Sequence, residues 1–201
     1  MKEAAVLIGS YVLGSVPFGL LIVKSWRGID IRDYGSGNIG ATNVLRVAGR
    51  GPAAVVFAAD VLKGLVPVVA ASSIFAAPWI AVAGGMSAIL GHSVSIFLRF
   101  RGGKGVATSL GVVVGLDPRI AGIGFGIWAA VLAVSRYVSV ASILAATSIP
   151  VLMFVFDMPL AYRVFAIVAA VFVIAKHRSN MVRLLQGKEL RLGEKVSVRE
   201  A

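Results

Sequence analysis

The chain has 201 residues, of which 58% are hydrophobic and only 14% charged, and its mean hydropathy of +0.91 excludes an ordinary soluble domain. Lys and Arg number 20 against 9 Asp and Glu, a formal net charge of +11, and cysteine is absent, which excludes disulfides, thiolate catalysis and cysteine metal sites. Backbone polar groups in hydrocarbon must be satisfied within the segment or in a closed barrel, and no strand-like alternation is visible, so residues 1–201 are expected to form one all-α transmembrane helix bundle.

In chain order, the first apolar run covers residues 4–23. It is long for a signal peptide and lacks a small-residue cleavage pattern, so it reads as a retained span. Further runs cover residues 53–76, 79–98, 106–116, 120–134, 137–156 and 162–175. The runs at 106–116 and 120–134 are short for a hydrocarbon core of about 30 Å, which asks for about 20 residues per helix. Charge decides whether they are one span or two. Lys24, Arg27, Arg32, Arg46 and Arg50 crowd the first loop, Arg99, Arg101 and Lys104 the second, and Lys176, Arg178, Arg183, Lys188, Arg191, Lys195 and Arg199 the tail. The opposite connections hold Lys2, Arg119 and Arg163. The positive-inside rule puts the three basic regions on the cytoplasmic side, so the chain crosses an even number of times between Lys104 and Lys176. A split at Asp117-Pro118 satisfies this and predicts seven spans, with the N-terminus outside and the C-terminus inside. Pro17, Pro67 and Pro150 fall within spans and read as kinks.

This topology gathers the polar, glycine-rich segments on one face. In DYGSGNIGATNVLRVAGRGP, from Asp33, glycines permit tight turns while Ser36, Asn38, Thr42, Asn43 and Arg46 offer donors to an anion. The competing reading is an interfacial turn with helix caps. In RFRGGKG, from Arg99, the residues Arg101, Gly102, Gly103, Lys104 and Gly105 precede a helix whose N-terminal amides carry partial positive charge, which suits a phosphate. It is not a Walker motif; its competing reading is a basic turn on lipid head groups. In KHRSNMVRLLQGKE, from Lys176, His177 and Asn180 share one turn with Arg178, and Arg183 follows a turn later. A basic tail on anionic lipid explains the cations of this segment but not His177 and Asn180. Within the spans, Asp60 and Lys63 lie on one helical face and read as a supporting pair. For His92, a packing role weighs at least as much as chemistry.

The three segments GSGNIGATNVLR, GHSVSIFLRFRGGKGVAT and KHRSNMVRLLQGKE, in this order and between apolar runs, resemble the signature motifs of the bacterial acyl-phosphate-dependent glycerol-3-phosphate acyltransferases. The resemblance covers nearly the whole chain. It implies a seven-span enzyme of the bacterial cytoplasmic (inner) membrane, with its site facing the cytoplasm. Its reaction would move a fatty acyl chain from acyl phosphate to the sn-1 hydroxyl of glycerol-3-phosphate, making lysophosphatidic acid. It also implies functional roles for Ser36, Arg46, residues 102–105, His177 and Asn180, with Glu189 as a structurally important acid. The expected partners are the two phosphate substrates and the lipid bilayer, with no nucleic acid, no cofactor and no metal.

The residue chemistry agrees. Two anionic substrates call for many cations and few carboxylates, which is what the motif segments contain. Acyltransferases that use thioesters often carry a His followed four residues later by Asp, whereas His92 is followed by SVSIF; acyl phosphate, with its good leaving group, is the better donor. Direct attack by the glycerol hydroxyl is expected, with His177 the candidate base and the substrate phosphate the alternative proton acceptor. A Ser36 acyl-enzyme is a minor alternative. The rival from another class is an organophosphate or anion transporter, against which stand the one-sided cations and the lack of a repeated half.

Overall fold

The computed structural model describes residues 1–194; Lys195 and Arg199, counted above in the basic tail, lie outside the described residues. Each predicted apolar run is helical, and no strand occurs among the described residues. The helices are α1 (Lys2–Ser15), α2 (Phe18–Arg27), α3 (Ala41–Val47), α4 (Arg50–Ile74), α5 (Pro78–Ser93), α6 (Val106–Leu116), α7 (Pro118–Ser135), α8 (Val138–Val155), α9 (Leu160–Lys176) and α10 (Arg178–Leu185). Five helical runs are long and apolar enough to cross a membrane, α9 and α10 make a sixth candidate bent by 51°, and α6 is shorter.

Pro17 does more than kink the first span. It separates α1 from α2, leaving Val16 extended at φ −59° and ψ 118°, because proline disfavours helix at the residue before it. Pro67 and Pro150 lie inside α4 and α8. The split between α6 and α7 falls where the sequence suggests. Asp117 accepts the Arg119 and Ile120 amides at 2.8 and 3.2 Å, and Pro118 opens α7, so a helix cap and an N1 proline together start the new helix.

Close backbone contact replaces the hydrophobic effect as the reason these helices pack, since lipid tails are as apolar as the side chains. Between α4 and α6, a Cβ on Gly64 would overlap the Thr108 carbonyl and one on Gly111 the Val61 carbonyl. One buried cluster, including Val68, Ile89, Val112, Ile120, Met153 and Phe165, fills the bundle centre. A second, including Val23, Ile31, Ile39, Val44, Val56 and Leu98, lies under the first loop and pins it to α2, α3 and α4. Opposite faces such as Val164, Ile167, Val168 and Val171 of α9 remain exposed, as lipid contact requires.

Candidate active site

The first motif folds around one side chain. Asn43, 1% exposed, accepts the Ser36 amide at 2.9 Å and donates to the carbonyls of Ile31, Tyr34 and Asn38 at 3.3, 3.0 and 2.9 Å. Its hydrogen-bonding capacity is therefore spent inside the loop; Asn43 shapes the motif and has no donor left over for a phosphate. Asn38 closes a smaller turn by accepting the Gly40 amide at 2.9 Å. Arg46 points from α3 across the cavity mouth, where it donates to the Leu190 carbonyl at 3.1 Å.

The second motif hangs on the unravelled end of α5. The His92 carbonyl accepts the Gly103 amide at 3.1 Å, Ser93 accepts Lys176 Nζ at 3.1 Å and Val94 accepts the Tyr11 hydroxyl at 2.8 Å. Ser95 accepts both the Leu98 and Phe100 amides, at 3.1 and 2.8 Å, and its hydroxyl donates to the Ser15 carbonyl at 2.6 Å. Carbonyls orphaned at a helix end are thus satisfied by α1, α9 and the following turn. The chain then turns through two left-handed non-glycine residues, Arg99 and Phe100, at φ 50° and 61°. A Cβ on Gly102 would overlap the His92 carbonyl, and one on Gly103 the His92 ring nitrogen Nε2. Close packing on His92 is why these positions are glycine. Gly105, at φ +80°, directs the chain into α6, whose N-terminus no side chain caps among the described residues, so its first-turn amides stay open to an anion.

The third motif begins on the last residue of α9, Lys176, and His177 follows it at the break before α10. His177 is 3% exposed and its Nδ1 lies 2.7 Å from the Val173 carbonyl, which fixes the hydrogen on Nδ1 and leaves the Nε2 lone pair free. Burial pushes His177 down to about 4, with Lys104 adding to the shift while the Val173 hydrogen bond and Glu189 oppose it. Lys104 Nζ donates to Asn180 Oδ1, Asn180 Nδ2 donates to Glu189 Oε1, and Arg183 Nε donates to Glu189 Oε2. Burial lowers Lys104 to about 8, against the pull of Glu189 and helped by Arg183 and Arg46. Burial alone would raise the Glu189 carboxyl, but the Asn180 and Arg183 hydrogen bonds hold it below its ordinary range. Residues after α10 fold back over the mouth: Leu192 and Arg136 are joined by two hydrogen bonds, at 2.7 and 3.2 Å.

These segments surround a cavity of about 460 Å³. Ser36, Asn38, Thr42, Asn43, Arg46, Lys104, Gly105, His177, Asn180 and Glu189 line its polar end, and Asp60 and His92 line it as well; Arg101, Gly102, Gly103 and Lys63 are not among its lining residues. Arg178 is exposed and also stands apart from it. Sequence reasoning missed the other end, an apolar arm between α6, α7 and α8 lined by Val113, Phe125, Trp128 and Ile149. The Phe125 and Trp128 rings stack at 5.5 Å, and Trp128 Nε1 donates to Ser142 Oγ at 3.2 Å. Groove-lining and lipid-facing residues are equally apolar, so only the Trp128–Ser142 register, invisible without the helix pairing, marks this arm.

Comparison with known proteins identifies the family. The family model described as glycerol-3-phosphate acyltransferase matches residues 4–187. The glycerol-3-phosphate acyltransferase of Synechococcus elongatus is 46% identical, covering 98% of each chain, and that of Trichormus variabilis is 43% identical, covering 96% of this chain and 93% of the relative. The crystal structure of PlsY (YgiH), an integral membrane glycerol 3-phosphate acyltransferase, in its glycerol 3-phosphate form superposes with a TM-score of 0.92 at 42% identity, covering 96% of both chains. Its lysophosphatidic acid form superposes at 0.90 and 41% identity, again over 96% of both. The chain belongs to the glycerol-3-phosphate acyltransferase family.

Proposed function

We propose that this membrane enzyme transfers a fatty acyl group from acyl phosphate to the sn-1 hydroxyl of glycerol-3-phosphate, releasing lysophosphatidic acid and inorganic phosphate. One observation carries the reading: a single cavity has Ser36, Arg46, Lys104 and His177 at one end and Phe125, Trp128 and Ile149 at the other. Polar phosphate groups and an acyl chain are the two chemistries these ends accept. Asp60 and Glu189, the carboxylates lining the cavity, are each paired with a cation, so neither repels an incoming phosphate.

The hydroxyl oxygen attacks the acyl carbonyl, the bond from that carbon to phosphate oxygen breaks, and phosphate leaves. Arg46, Lys104 and the open amides of α6 hold phosphate close to the reacting carbon, which lowers the entropic part of the barrier. Ser36, whose hydroxyl has no histidine or carboxylate hydrogen-bonded to it among the described residues, acts as a donor to substrate rather than as a nucleophile. His177 Nε2 takes the hydroxyl proton. A second reading gives that proton to a substrate phosphate, and the burial that lowers His177 to about 4 favours it. Glu189 supports Asn180 and, through it, Lys104.

The chain crosses the bacterial inner membrane seven times, with its N-terminus outside, its C-terminus inside and its site open to the cytoplasm. The basic first loop, glycine turn and tail support this orientation. The shortest of these crossings is α6, whose 11 residues rise about 16 Å.

Purified protein given glycerol-3-phosphate and acyl phosphate should make lysophosphatidic acid with stoichiometric phosphate release and make none from an acyl thioester. Equal use of the thioester, or glycerol-3-phosphate uptake without acylation, would overturn the reading. His177→Ala should lower turnover by about 10²-fold or more if the imidazole is the base. His177→Asn then rescues little. Much of the rate surviving in His177→Asn assigns the proton to substrate phosphate.

A further inference from the structure

Asp60, Lys63 and His92 are 2%, 2% and 4% exposed, and none takes part in the transfer chemistry above. Lys63 Nζ lies 2.8 Å from Asp60 Oδ1 and donates to the Val16 carbonyl at 3.0 Å, at the break that Pro17 makes between α1 and α2. The ion pair is thereby tied to a second structural irregularity. His92 Nδ1 faces Asp60 Oδ1 at 3.7 Å, inside charge range but beyond a direct hydrogen bond, and Nδ1 has no hydrogen-bond partner among the described residues. The opposite edge of the imidazole, Nε2, occupies the space where a Gly103 Cβ would be, and the His92 carbonyl holds the Gly103 amide at 3.1 Å. Lys104 is the next residue. The imidazole therefore lies between a buried ion pair and the turn that aims the cavity's central lysine.

A role in stability alone fits this arrangement poorly. A buried pair of charges gains less than well-packed apolar residues of the same volume, because desolvation offsets the attraction. What charges do better than methylenes is fix direction. We infer that Asp60, Lys63 and His92 are positioning residues: the ion pair, anchored at Val16, sets the imidazole, and the imidazole is the shelf on which Gly103 rests and from which Lys104 is directed at phosphate. This rests on the reading above in which Lys104 holds phosphate, taken here as the phosphate of glycerol-3-phosphate.

The test is equilibrium binding of radiolabelled glycerol-3-phosphate to purified full-length protein, which needs no acyl donor and so stands or falls separately from the acyl-phosphate reaction. Asp60→Leu/Lys63→Met removes both charges together, and His92→Leu removes the polar shelf. His92→Gln keeps a polar atom near the position of Nε2, the edge that meets Gly103. The first two should raise Kd by about tenfold or more with an unchanged number of sites per folded protein, while His92→Gln stays within about threefold of the unsubstituted chain. A structural role predicts the reverse split, with fewer competent sites at an unchanged Kd, and that result would overturn the inference. If the charge-free pair does not fold, the two His92 variants decide, and equal Kd values for them would overturn it as well.

Discussion

The first motif loop and the glycine turn reach the same cavity but are held in opposite ways. The loop is held largely from within: Asn43 makes four hydrogen bonds to residues 31–38, and Ile31 and Ile39 anchor it in their own apolar cluster. The turn is held from outside. Its neighbourhood depends on Tyr11, Ser15, His92 and Lys176, and Lys104 itself is tied to Asn180. A motif that contains its own struts fails locally when one is removed, whereas a motif hung on its surroundings can be damaged, and repaired, at a distance.

The largest effect is expected in the loop. Asn43→Ala removes four hydrogen bonds, each about 1 kcal/mol net, and leaves the buried Ile31 carbonyl and the half-buried Tyr34 and Asn38 carbonyls without this donor. A loss of about 10³-fold in kcat/KM follows if that free energy is expressed in the transition state. Limited proteolysis should cut within residues 28–40 while the bundle stays intact. An active, protease-resistant Asn43→Ala would show that the loop is also braced from outside.

Next is the turn. Gly103→Val drives a branched side chain into the imidazole and should be at least as damaging as Lys104→Ala, which removes one charge-assisted contact of about 1.5–3 kcal/mol, roughly a 10- to 100-fold loss. The contrast with the loop sharpens in a milder pair. Gly103→Ala should lose activity alone and recover part of it when His92→Ala clears the space. Additive losses would mean that the ring is not what excludes a side chain at Gly103. No distant suppressor is expected for Asn43→Ala.

The same contrast explains what was legible in the sequence. The apolar runs fix the helices, and Asp117-Pro118 marks the boundary between α6 and α7 because an N-cap and an N1 proline are local signals. Ser36, Arg46, Lys104, His177, Asn180 and Glu189 meet at one cavity, as the motif order suggests. Asn43 is read as a donor to anion because its type is visible and its partners are not. Gly102 and Gly103 are read as room for phosphate, but the neighbour that needs the room is His92. Asp60 and Lys63 are legible as a pair through their helical spacing, yet their link to His92 depends on how α4 meets α5, and that packing leaves no local mark.

The smallest expected effect is a change of pH profile. If Lys104 binds phosphate as proposed, it does so as the ammonium ion, which burial lowers to about 8. Above that pH the free enzyme loses the ammonium form, so kcat/KM for glycerol-3-phosphate should fall, reaching roughly a tenth of its plateau one unit higher. Stability moves the other way. Between about 8 and the unfolded value of 10.5 the unfolded chain binds more protons at this lysine, so its contribution to folding free energy rises with pH, and lost activity there is not lost structure. Lys104→Arg keeps the cation charged throughout. It should lower activity at neutral pH only severalfold, through imperfect fit beside Asn180, and abolish the alkaline fall. An unchanged alkaline limb in Lys104→Arg would move that titration to another group and separate the glycine turn from phosphate binding.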